Sequence, residues 1–171
     1  MVDVATNRAG RIGAGLASLQ DLTAALAGDP SVRGALSDLG QAFAETGETL
    51  SDEQEADLQA FYREGIEIVT PPGVTPPAAS TLLPATDTGR YLQYWYVTQA
   101  PPEARPDISD PGDGSTYTEV HARYHDGLVE LASSLGFPEA LLIDLDGDIV
   151  FTIAKRADFA TNLLTGPYRD S

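Results

Sequence analysis

The chain contains two histidines, His121 and His125, in the stretch YTEVHARYHDGL. Residues four apart share one face of a helix, so the two imidazoles could ligate zinc, copper or nickel, contact a bound ligand, or form part of a core. A metal site needs further ligands that this spacing does not supply, and Ala122 stands where the H-E-x-x-H motif has glutamate. The pattern therefore favours histidines that form hydrogen bonds at the edge of a core. We predict neither a metal site nor a cofactor.

The densest aromatic group lies in YLQYWY and comprises Tyr91, Tyr94, Trp95 and Tyr96. Consecutive side chains on a helix point in different directions, so these four cannot all face one core. They either pack beneath neighbouring loops or form the wall of a site for a small ligand. Aromatic faces attract cations, and the surrounding chain is acidic. A ligand of this wall is therefore expected to be cationic.

The stretch DLDGD superficially resembles a calcium-binding loop that begins at Asp144. Its glycine, however, is the fourth residue rather than the sixth, and β-rich residues follow it. The dipeptide Asp146-Gly147 between two apolar runs instead predicts a tight hairpin turn. The stretch SDPGDGS, which contains Asp113, is likewise predicted to be a turn. We keep Asp144 as a candidate ligand contact.

Charge and composition exclude several functions. The chain has 26 acidic and 10 basic residues, a net charge of −16, and therefore no basic surface for nucleic acid or anionic membranes. It has no cysteine, which excludes disulfides and thiolate chemistry. No apolar run reaches the length of a membrane span, and the first residues lack the pattern of a signal peptide. We expect either a cytoplasmic protein or a domain that contacts a membrane only through segments outside this sequence.

Helix signals dominate the first two thirds of the chain. A helix is predicted over residues 3–27. Asp29 and Pro30 cap and start a second helix that runs to Glu45, and Ser51 with Gln54 forms the capping box of a third. Two proline-rich loops, the first over residues 70–87, flank the short aromatic helix.

Ser115 is predicted to cap a helix over residues 116–135. An apolar seam is expected on that helix, formed by Tyr117, Tyr124, Leu128, Leu131 and Leu135. The C-terminal hairpin is followed by a segment predicted to form one helical turn and a loop. The fold class is α+β, dominated by helix, in a single domain over 1–171. The domain comprises helical hairpins or a bundle over 3–69, loops and the aromatic helix over 70–115, and a helix plus β-hairpin over 116–171.

Four stretches carry a resemblance to a known family. The most specific is LLIDLDGDIVFTIAKRADFATNLLTGPYRDS (141–171), and the others are YLQYWYVTQAPP, DPGDGSTYTEVHARYHDGL and LASLQDLTAALAGDPSVRGAL. They resemble the extracytoplasmic Cache-like or PAS-like sensor domains of bacterial receptors such as methyl-accepting chemotaxis proteins, class III adenylate cyclases and histidine kinases. The resemblance implies flanking transmembrane helices, an inner-membrane receptor that forms a homodimer, and a PAS-like sheet that begins with the hairpin.

We therefore expect a sensory domain that binds a small molecule or relays a conformational change, and that is not an enzyme. Its candidate ligand-binding residues are Tyr91, Tyr94, Trp95, Tyr96, His121, His125 and Asp144. The first alternative is an acidic helical domain for protein interaction or dimerisation. A third reading is a metal-dependent hydrolase that uses the two histidines.

Overall fold

The computed structural model describes the backbone of residues 2–70 and 73–169, and the side chains from residue 13. The helices are α1 (Val2–Gly28), α2 (Pro30–Glu45), α3 (Asp52–Val69), α4 (Asp87–Gln93) and α5 (Thr116–Ser134), and a π-helix, Tyr94–Thr98, continues α4. Strands β1 (Leu141–Ile143) and β2 (Ile149–Thr152) form an antiparallel pair. The predicted class, helix-dominated α+β with a C-terminal hairpin, is confirmed. None of the helices in the described ranges combines the length and apolar character of a membrane span.

The chain divides into two compact units, of which the first ends at Ala35 and the second begins at Leu36. The first unit contains α1 and the start of α2. The Asp29 carboxylate accepts hydrogen bonds from the backbone N–H groups of Ser31 (2.8 Å) and Val32 (3.2 Å). The predicted cap of α2 is therefore confirmed, and it ends one helix and starts the next within two residues.

The second unit contains the remainder of the chain, and α3 illustrates how local chemistry sets its elements. The Ser51 side chain accepts from the Gln54 N–H, and the Gln54 side chain accepts from the Ser51 N–H at 2.9 Å, which is the predicted capping box. The inward residues Leu58 and Tyr62 pack with Leu83 of the first proline-rich loop. Residues 71–72 of the loop predicted over 70–87 lie outside the described residues.

The hairpin supplies the centre of this unit, because every residue of β2 is buried. Leu141 pairs with Thr152 and Ile143 with Ile149, with an irregularity in the register after Leu142. The loop is closed by the Asp144 N–H, which donates to the Asp148 carbonyl at 3.0 Å. Gly147 has a φ of 89°, which glycine adopts readily, but Asp146 is not among the described residues with positive φ. The Gly147 N–H donates to the Asp144 carbonyl at 3.2 Å, so the loop turns over residues 144–147 and is longer than a two-residue Asp-Gly turn.

The predicted seam of α5 is wrong in its centre. The buried residues of α5 are Tyr117, Thr118, His121, His125 and Ala132. Tyr124 is only partly buried, and its hydroxyl donates to the Asp38 carboxylate of α2 at 2.6 Å. The helix is rotated from the predicted orientation because both histidines find backbone carbonyl partners inside the unit, which offsets the cost of burying them.

The segment after β2, predicted as one helical turn and a loop, forms successive turns over residues 157–169. One of them has helical spacing, since the Gly166 N–H donates to the Asn162 carbonyl at 2.8 Å. Asn162 organises them. Its side-chain amide donates to the Asp146 carbonyl and the Asp148 carboxylate, both at 2.9 Å, while its Oδ1 accepts from the Leu164 N–H at 2.8 Å. The two bonds to Asp146 and Asp148 attach the segment to the hairpin loop.

Substitution of Gly147 by valine is expected to destabilise the chain by more than about 2 kcal/mol. The β-branched side chain would adopt a positive φ, and a Cβ at this position would lie 2.8 Å from Leu164 Cγ. Chemical denaturation measures the effect. Gly136→Val is the matched control, since Gly136 has a φ of 77° but open space around it. Equal losses in the two variants would show that Leu164 contributes nothing.

Candidate functional site

The aromatic group is positioned by α4 and the π-helix. Thr86 caps α4 by accepting from the Gly89 N–H at 3.1 Å. A Cβ on Gly89 would lie 2.5 Å from the Ala160 carbonyl oxygen, so α4 packs there at a distance that only glycine permits. The π-helix then sets the directions of Tyr94, Trp95 and Tyr96. Such turns are frequent at functional sites.

Tyr96 is a core residue. It is fully buried, and its ring makes edge contacts with Tyr117 (6.0 Å between centroids), His121 (4.8 Å) and Phe159 (5.6 Å). Its hydroxyl hydrogen-bonds Thr118 Oγ1 at 2.8 Å, and burial raises its pKa. Its polar atom is thus already paired within the fold.

Tyr91, Tyr94 and Trp95 form the outer part of the aromatic group. Tyr91 is buried, whereas Tyr94 and Trp95 are half-buried. The Trp95 ring lies 5.4 Å from the Tyr94 ring and 6.4 Å from the Tyr91 ring. The four predicted aromatic residues therefore divide between a core and an edge, and the edge is the part that retains accessible surface.

Two buried polar groups at this edge, the Trp95 N–H and the Asp113 carboxylate, lie beside the Tyr91 hydroxyl. The Trp95 Nε1 and both carboxylate oxygens of Asp113 are buried, and none has a hydrogen-bond partner among the described residues. Both groups act on the Tyr91 hydroxyl: burial first, and then the Asp113 carboxylate, raise the pKa of Tyr91 to about 12, while the Trp95 N–H lowers it. The Tyr91 hydroxyl thus lies close enough to interact with both groups, although neither contact has the geometry of a full hydrogen bond. Buried polar groups are nearly always fully paired, so this edge has hydrogen-bonding capacity left for a ligand.

The loop that carries Asp113 also leads into α5. Gly112 and Gly114 flank Asp113 with φ values of 85° and 70°, and Ser115 follows as the N-cap. The prediction treated this stretch as a turn and did not select Asp113. The available signal was an acidic residue between two glycines, immediately before a helix of aromatic and histidine residues.

His121 lies inside the core rather than at the edge of the core. Its Nδ1 lies 2.7 Å from the Ser109 carbonyl oxygen, so Nδ1 carries the proton and Nε2 is a buried acceptor without a partner among the described residues. Burial, and then the charge of Lys155, lower the pKa of His121 to about 3. His121 is therefore neutral at physiological pH.

His125 is equally buried. Its Nδ1 lies 3.0 Å from the Asp126 carboxylate and its Nε2 lies 2.9 Å from the Pro106 carbonyl oxygen. The His121 and His125 rings are 5.2 Å apart. Within the described residues, no three histidine, aspartate or glutamate side chains converge in a way that could hold a metal ion.

Lys155, the only lysine, is completely buried and was not selected from the sequence. Its Nζ lies 3.4 Å from the Ile153 carbonyl oxygen and 5.9 Å from the centre of the Phe151 ring. Burial lowers its pKa to about 8, against the opposing effect of the Glu139 and Asp107 carboxylates. The ammonium group thus has one long hydrogen bond and partial charge compensation.

Asp144 stabilises the hairpin loop. Its Oδ1 accepts hydrogen bonds from the N–H groups of Asp146 (3.0 Å) and Asp148 (2.9 Å), which shapes the hairpin loop. Its described hydrogen bonds all lie within that loop. The predicted residues therefore fall into three places: the aromatic edge, the histidine core and the hairpin loop.

Comparisons of the chain with protein-family models, with curated proteins and with solved structures found no match.

Proposed function

We propose that this chain is the ligand-sensing domain of a bacterial membrane receptor, placed outside the cytoplasm, without catalysis of its own. Its ligand is a small molecule with a cationic amine, bound at the aromatic edge by Tyr91, Trp95 and Asp113. The observation that carries the proposal is the pair of buried polar groups, the Asp113 carboxylate and the Trp95 N–H, that make no full hydrogen bond among the described residues and have the Tyr91 hydroxyl beside them. The receptor class rests on the family resemblance of residues 91–128 and 141–171.

The negative charge of Asp113 favours a ligand that carries an amine. A buried carboxylate with only a neighbouring hydroxyl beside it lacks charge compensation, and an ammonium group would supply both a hydrogen bond and the opposite charge. The Trp95 and Tyr91 rings add aromatic surface, which attracts cations. The Trp95 N–H needs an acceptor, so the best ligand also carries an oxygen near its amine. Amino acids and amino alcohols meet both requirements.

The location of the site supports a relay. Asp113 lies two residues before the cap of α5, whereas Trp95 lies in the π-helix. The hydrogen bond between Tyr96 and Thr118 joins the same two elements inside the core. A ligand that pairs Asp113 with Trp95 would favour one packing of α5 against the π-helix, which is how differential binding shifts a conformational equilibrium.

The matched pair Asp113→Asn and Asp110→Asn tests this proposal. Both remove one negative charge from the same loop, but the Asp110 Oδ1 accepts from the Gly112 N–H at 2.7 Å, a bond that asparagine retains. A thermal-shift screen of amino acids, amino alcohols and other amines is followed by calorimetry of the hits. Loss of one charge-assisted bond costs about 1.5–3 kcal/mol, so Asp113→Asn is expected to weaken binding by about 10-fold to 150-fold. Asp110→Asn is expected to leave it unchanged.

Trp95→Phe keeps the aromatic surface and removes only the N–H, and is expected to weaken binding of ligands that carry an acceptor. Amines that bind wild type and Asp113→Asn equally would contradict the proposed site. The alternative, an interaction or dimerisation module, is favoured by one observation: Leu16 and Leu19 of the acidic, helical chain are 57% and 46% exposed. An absence of amine binding, together with self-association that Leu16→Ser abolishes, would favour that alternative.

A further inference from the structure

The loop between α2 and α3 lies beside the aromatic edge. The Thr88 hydroxyl of α4 donates to the Thr46 carbonyl at 3.2 Å, which fixes the start of this loop against α4. Thr88 and Tyr91 are three residues apart and therefore share one face of α4. Glu48 follows Thr46 by two residues and is exposed. The loop thus brings an acidic residue to the face of α4 that carries Tyr91.

The loop that carries Asp113 reaches the same end of the second unit. Near the end of α2, the Phe43 ring packs edge-on against the Tyr117 ring of α5, with 6.4 Å between the ring centroids. Phe43 lies five residues before Glu48, and Tyr117 lies four residues after Asp113. Both rings are buried, so their contact holds the two loops next to one another.

Both carboxylates act on the Tyr91 hydroxyl. Burial first, then Asp113 and also Glu48 raise the pKa of Tyr91 to about 12. Salt largely screens exposed charges beyond about 8–10 Å, so this effect requires Glu48 to lie near the hydroxyl. None of the ion pairs within the described ranges uses Glu48 or Asp113. The aromatic edge therefore has two carboxylates that no described ion pair neutralises.

We propose, building on the proposed function, that the ligand of the aromatic edge is an amino acid whose side chain carries a second positive charge that faces Glu48. A ligand with one ammonium group neutralises only one of the two carboxylates, and the field of the other then favours a second cation. An amino acid already supplies the ammonium group for Asp113 and the oxygen for the Trp95 N–H. A side chain that ends in ammonium or guanidinium extends the match to Glu48.

Calorimetric titrations of the whole chain with L-lysine and L-norleucine test the proposal, because the two amino acids share one carbon chain and differ only in the terminal ammonium group. An exposed ion pair is weak, so lysine is expected to bind about twofold to fivefold more tightly at low ionic strength. Glu48→Gln should remove this advantage and leave the affinity for norleucine unchanged. Glu45→Gln is the matched control and should change neither affinity, since Glu45 is exposed and accepts from Gln41 Nε2 at 2.9 Å, a bond that glutamine retains.

Salt gives a second measurement on the wild type. The ratio of the two affinities should approach one at about 1 M salt, where the Debye length falls to about 3 Å. Equal affinities at low salt, or a lysine advantage that survives in Glu48→Gln, would overturn the proposal. The proposed function would still stand if norleucine binds and Asp113→Asn weakens that binding. If neither these two amino acids nor any other amine binds, the proposed function fails as well.

Discussion

Replacement of Gln93 by leucine is expected to lower the free energy of unfolding by at least about 3 kcal/mol. Gln93 is completely buried. Its side-chain Nε2 donates to the carbonyls of Ala157 (2.8 Å) and Phe159 (2.7 Å), and its Oε1 accepts from the Tyr62 hydroxyl. Leucine matches the size of glutamine but removes all three bonds in a dry environment. The Phe159 carbonyl loses this donor, and the Tyr62 hydroxyl and the Ala157 carbonyl keep only their 3.3 Å bond to each other. Each such group costs about 1–3 kcal/mol.

Denaturant unfolding of three variants isolates this effect. Gln99→Leu is the matched control, since Gln99 is exposed and follows the π-helix by one residue; its change should stay within about 0.5 kcal/mol. Tyr62→Phe should cost about 1 kcal/mol, because it removes one member of the network. The double variant Tyr62→Phe with Gln93→Leu should be less destabilised than the sum of the two single variants. An additive result would mean that Tyr62 and Gln93 do not interact.

Replacement of Lys155 by methionine is expected to stabilise the chain by about 1–3 kcal/mol at pH 7. The folded state lowers the pKa of Lys155 from 10.5 to about 8, chiefly through burial. A lowered lysine pKa means that the folded state disfavours the ammonium form, so the charge costs stability at every pH below 8. Methionine fills a similar volume without a charge to bury.

The stability of the wild type should also change with pH because of Lys155. Between pH 8 and 10.5 the unfolded chain binds more protons at Lys155 than the folded chain, so wild-type stability should rise with pH over that interval. The buried tyrosines Tyr62, Tyr96 and Tyr117 have raised pKa values and act in the opposite direction above about pH 10. Unfolding should therefore be measured from pH 7 to 9.5.

Over this range the wild type is expected to gain about 1–2 kcal/mol, at most about 1.4 kcal/mol per pH unit. Lys155→Met should show no such gain. Lys155→Arg, which stays charged throughout, should be the least stable of the three and should also show none. A methionine variant that is less stable than wild type at pH 7 would mean that the Nζ contacts outweigh the cost of burial.

Local chemistry explains why much of the fold could be predicted. The caps at Asp29, Ser51 and Ser115 each depend on residues within three positions, and so does the glycine of the hairpin loop. The rotation of α5 could not be predicted in this way. Hydropathy treats histidine as polar, whereas the burial of His121 and His125 depends on the distant carbonyls of Ser109 and Pro106.

The candidate site likewise combines residues that could be predicted from the sequence with residues that could not. Its aromatic residues are conspicuous in the sequence, and Trp95 is one of the predicted ligand contacts. Asp113 could not be distinguished from other acidic turn residues, because the burial of its carboxylate beside the Tyr91 hydroxyl is a property of the folded surroundings. Lys155 posed the opposite problem, since a lone lysine is normally exposed. Long-range contacts, and not composition, determine both cases.

The π-helix makes the number of residues in its segment as important as their identity. On an α-helix, side chains five positions apart diverge by about 140°, yet Tyr91 and Tyr96 are both buried. The wider turn over Tyr94–Thr98 holds one residue more than an α-helical turn and so accommodates both. Substitutions at Tyr94 would change a surface, but deletion of one residue would rotate every following side chain up to Pro101. In the evolution of such a segment, length would therefore be held more strictly than sequence.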